Sequence, residues 1–289
     1  MSRRRLLLGA LGLPVLAGCG GPPAAAPGST RRTYRYGPAK AQAADLHLPA
    51  APPHGVVVLV HGGYWQKGYD RSLEDDVAAD LVTAGWAVWN LDYRAVGDGG
   101  GWPSTFDDVA AGTDHLAVAA REHRLALDRV VAVGHSAGGT LALWLAARGH
   151  GDATAREMHD HEGMGGAAVV RVTGVVTQAG VNSLADGSEY RLGGGAVDRV
   201  MGGSPQQVPE RYAAADPSQH LPLGVPVLVV TGTDDRLVPS TQSRDYAAAA
   251  TAAGDDVRLE VVAGDDHFAH LDPESGSWRA VRTWLDAQR

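Results

Sequence analysis

The segment Gly134–Gly138, with the sequence Gly-His-Ser-Ala-Gly, constrains the fold of this chain more than any other. It follows the apolar run Val130–Val133 and opens a helical pattern at Ala137. A sharp strand-to-helix turn needs small residues two positions before and two after its centre, because larger side chains would collide there. Such a turn would push the hydroxyl of Ser136 out of a sheet and place the Ala137 N–H at a helix N-terminus, where negative charge is stabilised. The alternative interpretation is a glycine-rich turn before a helix, since short motifs also occur by chance.

Apolar runs alternate with helical patterns along the chain. The run Val56–Val60 is continuous and mostly β-branched, which is typical of a strand buried on both faces of a sheet. The alternation predicts an α/β fold, with a mostly parallel central sheet flanked by helices. We expect strands at Tyr34–Tyr36, Ala44–Leu48, Val56–Val60, Trp86–Leu91, Val130–Val133, Val172–Thr177, Val225–Thr231 and Val257–Val262. We expect helices at Leu73–Ala84, from Pro103 onward, at Thr140–Arg148 and at Trp278–Leu285.

Two regions interrupt this alternation. Residues 181–223 carry glycine clusters and short helical patterns, and we expect a small cap there, because insertions at the carboxyl ends of strands cover the ligand crevice of such sheets. Residues 149–168 form a polar insertion that favours a surface loop. Its side chains His159, Asp160 and His161 are either a metal-binding group or solvated loop residues, and we expect the latter.

The first residues are typical of an export signal. Arginines at positions 3–5 precede the apolar stretch Leu6–Leu16, which ends in Leu-Ala-Gly before Cys19, the single cysteine. The stretch is too short to span a bilayer and has the length of a signal-peptide core, and its end resembles the lipobox of bacterial lipoproteins. We therefore expect a signal peptide at 1–18, lipidation at Cys19 rather than an incidental thiol, a flexible tether at 19–32, and the folded domain at 33–289. The expected location is the cell membrane, facing outside the cytoplasm.

Three further loops follow predicted strands. His61-Gly62-Gly63-Tyr64-Trp65 follows Val56–Val60, the loop with Asp234 and Asp235 follows Val225–Thr231, and the loop with His267 follows Val257–Val262. A serine hydroxyl is a weak nucleophile that needs a base and a group to orient that base. The chain order Ser, Asp, His is the order of one hydrolase fold.

The chain from about Tyr34 onward resembles α/β-hydrolases of the esterase/lipase group, and its H-G-G-Y-W loop is similar to that of kynurenine formamidase-like and feruloyl/acetyl-esterase-like members. The resemblance implies a catalytic triad of Ser136, Asp235 and His267, with Asp235 preferred to Asp234 and His270 a lesser alternative base. It also implies an oxyanion hole from the backbone N–H groups of Gly62, Gly63 and Ala137. Hormone-sensitive-lipase-like relatives carry a third glycine where this chain has Tyr64, so their loop geometry does not transfer directly.

Other polar and aromatic residues near these motifs invite a role. Tyr64 and Trp65 are expected either to contact substrate or to pack in the interior. His61 is expected to brace its loop, and His135 to pack behind the serine. A structural polar set beside the sheet is expected from Asp92, Arg94 and Asp108.

The sequence therefore predicts a serine hydrolase of small carboxylic esters. The alternatives are an arylformamidase, a peptidase and, in another class, a non-catalytic ligand-binding lipoprotein. The expected partners are a small-molecule ester or amide substrate and the membrane, reached through the lipid anchor. The net charge of -8 argues against a nucleic-acid partner. No cofactor or metal is expected, and the oligomeric state is left open.

Overall fold

The computed structural model describes residues 28–148 and 170–289 of the chain. Within those residues, eight strands form one sheet in the order β1-β2-β4-β3-β5-β6-β7-β8. The strands are β1 (Thr30–Arg35), β2 (Ala43–Leu48), β3 (Val56–Val60), β4 (Ala87–Leu91), β5 (Val130–His135), β6 (Gly174–Gln178), β7 (Val227–Gly232) and β8 (Val257–Val262).

Helices connect the strands and cover both faces of the sheet. They are α1 (Asp75–Thr83), α2 (Ser104–His123), α3 (Ala137–Arg148), α4 (Leu184–Glu189), α5 (Leu192–Met201), α6 (Pro209–Ala215), α7 (Thr241–Ala253) and α8 (Gly276–Ala287). Short 3₁₀ helices lie at Arg71–Glu74, Pro217–His220 and Ala269–Leu271.

Strand β3 shows why its sequence is apolar at every position. Val56, Val58 and Val60 belong to the core on one face of the sheet, whereas Val57 and Leu59 belong to the core on the other face. Both faces are therefore covered, as a continuous apolar run requires. The predicted sheet, mostly parallel and flanked by helices, is confirmed.

Strand direction decides where the connecting loops meet. β1 pairs antiparallel with β2, and β2 pairs antiparallel with β4. All other pairs, from β4 through β3 to β8, are parallel. The loops that follow β3, β5, β7 and β8 therefore emerge at one edge of the sheet, where ligand crevices form in this architecture.

Several boundaries differ from those predicted, and β1 differs most. Residues 30–32 were assigned to the tether, but they belong to β1, where Thr30 lies opposite Leu48 and Arg32 opposite Leu46. This assignment was wrong because β1 is an edge strand whose first four residues are exposed. The sequence there lacks the alternation of apolar and polar residues by which a half-buried strand is predicted. The helix predicted from Leu73 begins as a 3₁₀ turn and becomes α-helical at Asp75.

The signal peptide, Cys19 and the polar insertion 149–168 with its histidines lie outside the described residues. Every helix within 28–148 and 170–289 is too short or too polar to cross a lipid bilayer.

Candidate active site

Ser136 lies in a strained turn between β5 and α3. Its φ of 55° is in the left-handed region, which a residue with a side chain rarely occupies. The flanking glycines are required by packing, since a Cβ on Gly134 would collide with the carbonyl of Gly138 and a Cβ on Gly138 with that of Val60. The Ser136 N–H donates to the carbonyl of Gln178 at 2.8 Å and holds the turn against β6. Strain maintained in this way is typical of functional sites.

A carboxylate and an imidazole from two other loops form a direct pair. Nδ1 of His267, after β8, lies 2.8 Å from Oδ2 of Asp235, after β7. The other oxygen of Asp235 accepts hydrogen bonds from the N–H groups of Leu237 and Val238, at 2.8 and 2.9 Å. Burial acts to raise the pKa of Asp235, but hydrogen bonds from His267 and these N–H groups outweigh it, and the pKa is lowered. Asp234, the alternative, is exposed and has no contact with His267 among the described residues.

The ionised state of Asp235 decides which nitrogen of His267 carries hydrogen. A carboxylate only accepts, so Nδ1 donates and Nε2 keeps a free lone pair in the neutral ring. That nitrogen is suited to accept a proton. Within the described residues Ser136 Oγ makes no direct hydrogen bond to His267, and in ligand-free enzymes such bonds are often long.

His135 links the serine turn to the histidine loop. Its Nε2 lies 2.8 Å from the backbone oxygen of His267, and the two rings are 4.8 Å apart. Burial, together with the neighbouring His267 and His270, lowers the pKa of His135 well below its ordinary value. His135 is therefore neutral and carries its hydrogen on Nε2, so it supports the His267 loop through a hydrogen bond in addition to packing behind the serine.

His270, the lesser candidate for the base, lies on the buried side of this group. It has no exposed surface, and within the described residues neither ring nitrogen makes a hydrogen bond. Burial lowers its pKa to about 4. The ring that contacts the carboxylate of Asp235 is that of His267.

The loop after β3 lies directly against the serine turn. A Cβ on Gly62 would lie 2.9 Å from the carbonyl oxygen of His135 and 3.0 Å from Cβ of Ser136, so only glycine fits. Gly63 follows with a φ of 106°, and Tyr69 packs against its Cα. Among the described residues, the N–H groups of Gly63 and Ala137 donate no hydrogen bond, which leaves both able to bind an oxygen atom.

Tyr64 and Trp65, for which the sequence predicts either substrate contact or interior packing, have different surroundings. Trp65 is 1% exposed and belongs to the core, which favours packing for this residue. The left-handed backbone at both residues reverses the chain and brings the indole into the interior. Tyr64 is half-buried, and burial together with Tyr69 and Asp235 raises its pKa. A Cβ on Gly193 would collide with the Tyr64 ring, so the segment 181–223 adjoins this loop.

The polar set expected beside the sheet divides into two. Arg94 forms a two-pronged ion pair with Asp108, with both hydrogen bonds at 2.8 Å. Asp92 instead contacts Nε2 of His61 at 3.1 Å and accepts from Arg71 at 3.2 Å. Arg71 was not identified from the sequence, and its only signal there is its charge.

Four large apolar side chains are exposed in the described part of the chain, and three of them lie close to these loops. Within the described residues they are Tyr69, Tyr190, Leu237 and Phe268. The ring of Phe268 lies 5.5 Å from that of His267, Leu237 follows Asp235 by two residues, and Tyr69 covers Gly63. We call Tyr69, Leu237 and Phe268 the apolar rim.

The part of the chain that the structure describes contains no group of three or more His, Cys, Asp or Glu residues that could hold a metal ion. The three insertion residues His159, Asp160 and His161 lie outside it.

Comparison with known proteins identifies related chains. The family model BD-FAE matches residues 44–249, well over half of the chain. A monoacylglycerol lipase from Mycolicibacterium smegmatis is 29% identical over 262 residues, which cover 80% of this chain and 87% of that protein.

Solved structures share the fold. A truncated carbohydrate esterase from gut microbiota superposes with a TM-score of 0.78 at 20% identity, covering 90% of this chain and 96% of its own. Esterase B from Lactobacillus rhamnosis, inhibited by a tributyrin phosphonate, gives a TM-score of 0.75 at 20% identity, covering 92% and 86%. The α/β-hydrolase fold expected from the sequence is confirmed.

Proposed function

This chain belongs to the BD-FAE family, and from that premise we propose that it is a carboxylic ester hydrolase that works through a covalent intermediate on Ser136. The observation that carries the proposal is the hydrogen-bonded pair of Asp235 and His267 at the same sheet edge as the strained Ser136. An imidazole oriented in this way is the base that a serine nucleophile needs.

The proposed reaction has two halves. Ser136 Oγ attacks the ester carbonyl while Nε2 of His267 takes the hydroxyl proton, and Asp235 stabilises the resulting imidazolium. The N–H groups of Ala137 and Gly63 bind the carbonyl oxygen as it becomes negative. His267 then returns the proton to the leaving alcohol, and the acyl group remains on Ser136. Water, deprotonated by His267, releases the acid and restores the serine.

Small-molecule esters are the proposed substrates. The proteins that this chain resembles are named a monoacylglycerol lipase, a carbohydrate esterase and an esterase, which supports ester cleavage. These names refer to esters of different alcohols, glycerol in one case and a carbohydrate in another. The comparison therefore supports cleavage of an ester bond and does not indicate which alcohol the substrate carries.

We also propose that the protein is exported and anchored to the membrane by a lipid on Cys19. The support is the sequence alone, with its arginines, apolar stretch and small residues before the single cysteine. Replacing Cys19 with serine is expected to release the protein from the membrane fraction of expressing cells. An unchanged distribution between membrane and soluble fractions would contradict the anchor.

The proposed function is tested with the soluble chain that starts after Cys19, compared with the same chain carrying Ser136→Ala. We expect hydrolysis of p-nitrophenyl esters and labelling by a fluorophosphonate in the first protein. In the alanine variant we expect no labelling and a kcat lower by about 10⁴-fold or more, as for other triad knockouts. N-formylkynurenine and acetylated sugars in the same panel separate formamide from ester cleavage. A folded, unlabelled and inactive parent chain would instead favour a ligand-binding lipoprotein.

A further inference from the structure

A series of charged hydrogen bonds joins the 3₁₀ helix Arg71–Glu74 to the loop after β3. Arg71 Nε donates to Asp45 at 2.6 Å, and Arg71 Nη1 donates to Asp92 Oδ2 at 3.2 Å. Asp92 Oδ1 lies 3.1 Å from Nε2 of His61. Nδ1 of His61 lies 2.7 Å from the backbone oxygen of Gly62. We call Arg71, Asp92 and His61 the loop clamp.

The guanidinium of Arg71 is held between two buried carboxylates, those of Asp45 and Asp92. Asp45 has no exposed surface and is also held by Arg31 at 2.7 Å and by the hydroxyl of Thr33 at 2.5 Å. Burial acts to raise the pKa of Asp45, but hydrogen bonds from Arg71, Thr33 and Arg31 outweigh it and lower the pKa to about 2. Asp45 is therefore a permanent anion that anchors Arg71 at one end, while the same guanidinium reaches Asp92 at the other.

His61 receives its orientation from several sides. A carbonyl oxygen and a carboxylate oxygen both only accept, so the two contacts are both hydrogen bonds when each ring nitrogen of His61 carries a hydrogen, with Nδ1 donating to Gly62 and Nε2 to Asp92. The ring stacks on Tyr93, with centroids 4.3 Å apart and an angle of 4° between the planes. The hydroxyl of Tyr93 donates to the backbone oxygen of His61 at 2.8 Å, and its N–H donates to Asp92 at 2.9 Å. The imidazole cannot rotate without breaking its stack on Tyr93 and its contacts with Gly62 and Asp92.

The hydrogen bond to Gly62 determines the direction of a neighbouring donor. The carbonyl of Gly62 and the N–H of Gly63 belong to one peptide unit, which is planar and trans. In such a unit the C=O and N–H bonds point in opposite directions. By holding the carbonyl of Gly62, His61 turns the N–H of Gly63 to the other side of the loop. Gly62 itself contacts the Ser136 turn.

We propose that Arg71 and Asp92 are positioning residues that aim the Gly63 N–H at the developing oxyanion, acting through His61. This role rests on the proposed function, because it concerns the oxyanion hole of that reaction. Arg71 and Asp92 touch neither substrate nor Ser136. Arg71 and Asp92 fix the direction of the Gly63 N–H, which stabilises the negative oxygen of the transition state more than the neutral carbonyl of a bound ester. Substituting either residue therefore lowers kcat more than it raises KM.

The test compares two matched substitutions with p-nitrophenyl acetate as substrate. Lysine keeps the charge of arginine but lacks the rigid planar fork whose separate nitrogens donate to Asp45 and Asp92. Arg71→Lys therefore weakens the clamp, whereas Arg94→Lys breaks the similar ion pair with Asp108, which has no contact with the loop among the described residues. We expect Arg71→Lys to lower kcat by about threefold to tenfold with KM little changed, given that removing a whole oxyanion donor costs about a hundredfold or more. We expect Arg94→Lys to leave kcat within about twofold of the parent enzyme, since the hydrogen bonds that Arg94 donates within the described residues go to Asp108 and not to Asp92, His61 or Gly62.

A second pair of variants addresses His61 directly. The amide nitrogen of asparagine can occupy the position of Nδ1 and that of glutamine the position of Nε2. We expect His61→Asn to retain more kcat than His61→Gln, although both lose the stack on Tyr93. A purely structural role would make the two variants equal in kcat, with any difference confined to Tm.

The outcomes separate the two proposals. A parent chain with no esterase activity and no fluorophosphonate labelling overturns the proposed function and the clamp with it. An active parent with equal kcat in Arg71→Lys and Arg94→Lys, or in His61→Asn and His61→Gln, overturns the clamp alone. If one lysine variant does not fold, the His61 pair gives the answer.

Discussion

Glu74 is a buried carboxyl group at the end of the 3₁₀ helix. Its side chain is 3% exposed, and its Oε1 atom has no hydrogen-bond partner within the described residues. Burial raises the pKa of Glu74 to about 8. The folded protein therefore holds this proton at pH values where the unfolded chain has lost it. The contribution of Glu74 to the free energy of unfolding falls as pH rises from the ordinary glutamate range toward pH 8.

Glu74→Gln removes this pH dependence because the amide is neutral at every pH. We expect the variant to gain little Tm at pH 5 and clearly more at pH 8, measured by thermal unfolding at both pH values. The matched control is Glu274→Gln, since Glu274 is exposed. A gain in Tm that is equal at pH 5 and pH 8 would contradict the burial argument.

At the scale of elements, the loops after β5 and β8 are tied together by His135. Its Nε2 donates to the backbone oxygen of His267, which lies 132 residues later in the chain. This bond is buried, and leaving a buried acceptor unpaired costs roughly 1–3 kcal/mol. His267, the proposed base, is therefore held in position by two contacts, with Asp235 at its ring and with His135 at its backbone.

Substituting His135 by glutamine or by asparagine distinguishes its hydrogen bond to the His267 backbone from simple packing of the ring. The amide of His135→Gln can take the place of Nε2, whereas that of His135→Asn is too short. We expect His135→Gln to keep most of kcat and His135→Asn to lose about tenfold, in line with the free energy of one buried hydrogen bond. The measurement is kcat on a p-nitrophenyl ester. Equal losses in the two variants would show that the ring itself, and not the donor, matters.

The apolar rim suggests how loops influence the choice of ester. Phe268 is 60% exposed and lies beside the His267 ring, where it can contact the hydrocarbon part of a bound ester. Each CH₂ group removed from water is worth about 0.8 kcal/mol, or roughly fourfold in affinity. A longer acyl chain that reaches the rim should therefore react with higher kcat/KM.

We expect Phe268→Ser to reduce the ratio of kcat/KM for a hexanoate over an acetate ester by about fourfold or more, the value of at least one buried CH₂ group. Phe268→Leu is the control, because it keeps an apolar side chain and should preserve most of the ratio. The measurement is a series of p-nitrophenyl esters of increasing chain length. If the ratio is unchanged in the serine variant, the acyl chain does not contact Phe268.

The sequence predicted the elements that obey short-range rules. The turn at Ser136 could be predicted from Gly134 and Gly138, because a sharp turn excludes side chains at those positions. The strand Val56–Val60 could be predicted because a strand covered on both faces is apolar throughout. The role of Arg71 could not be predicted, because its carboxylate partners lie 26 and 21 residues away and meet it only through the fold. Burial of Trp65 also depends on a backbone reversal that no local pattern reveals. The segment predicted as a cap adjoins Tyr64 through Gly193.

At the scale of the molecule, β1 closes one side of the sheet. Tyr34 is buried, packs 5.5 Å from Trp89, and donates from its hydroxyl to Glu122 at 2.7 Å. Arg31 of the same strand reaches Asp45, which anchors Arg71. The strand therefore contributes both to the core and to the support of the loop clamp.

A chain that begins at Gly37 lacks β1, whereas one that begins at Gly28 keeps it. We expect the shorter chain to have a Tm lower by at least about 5 °C, since 1 kcal/mol shifts Tm by roughly 2–4 °C in a domain of this size. The chain from Gly28 should match one that begins at Gly20. The measurement is thermal unfolding of the three proteins, and equal Tm values would show that β1 is dispensable.

His267, the proposed base, lies late in the chain, and this position has a consequence for the timing of activity. Ser136 and the loop after β3 leave the ribosome well before β8 and before His267, which follows β8. Under the proposed mechanism, a chain interrupted before β8 carries a nucleophile with no proton acceptor. Nascent, truncated or half-folded chains that lack the loop after β8 would then hydrolyse no ester. Reaction with a fluorophosphonate would report that the loop after β8 has been made and has folded beside Ser136.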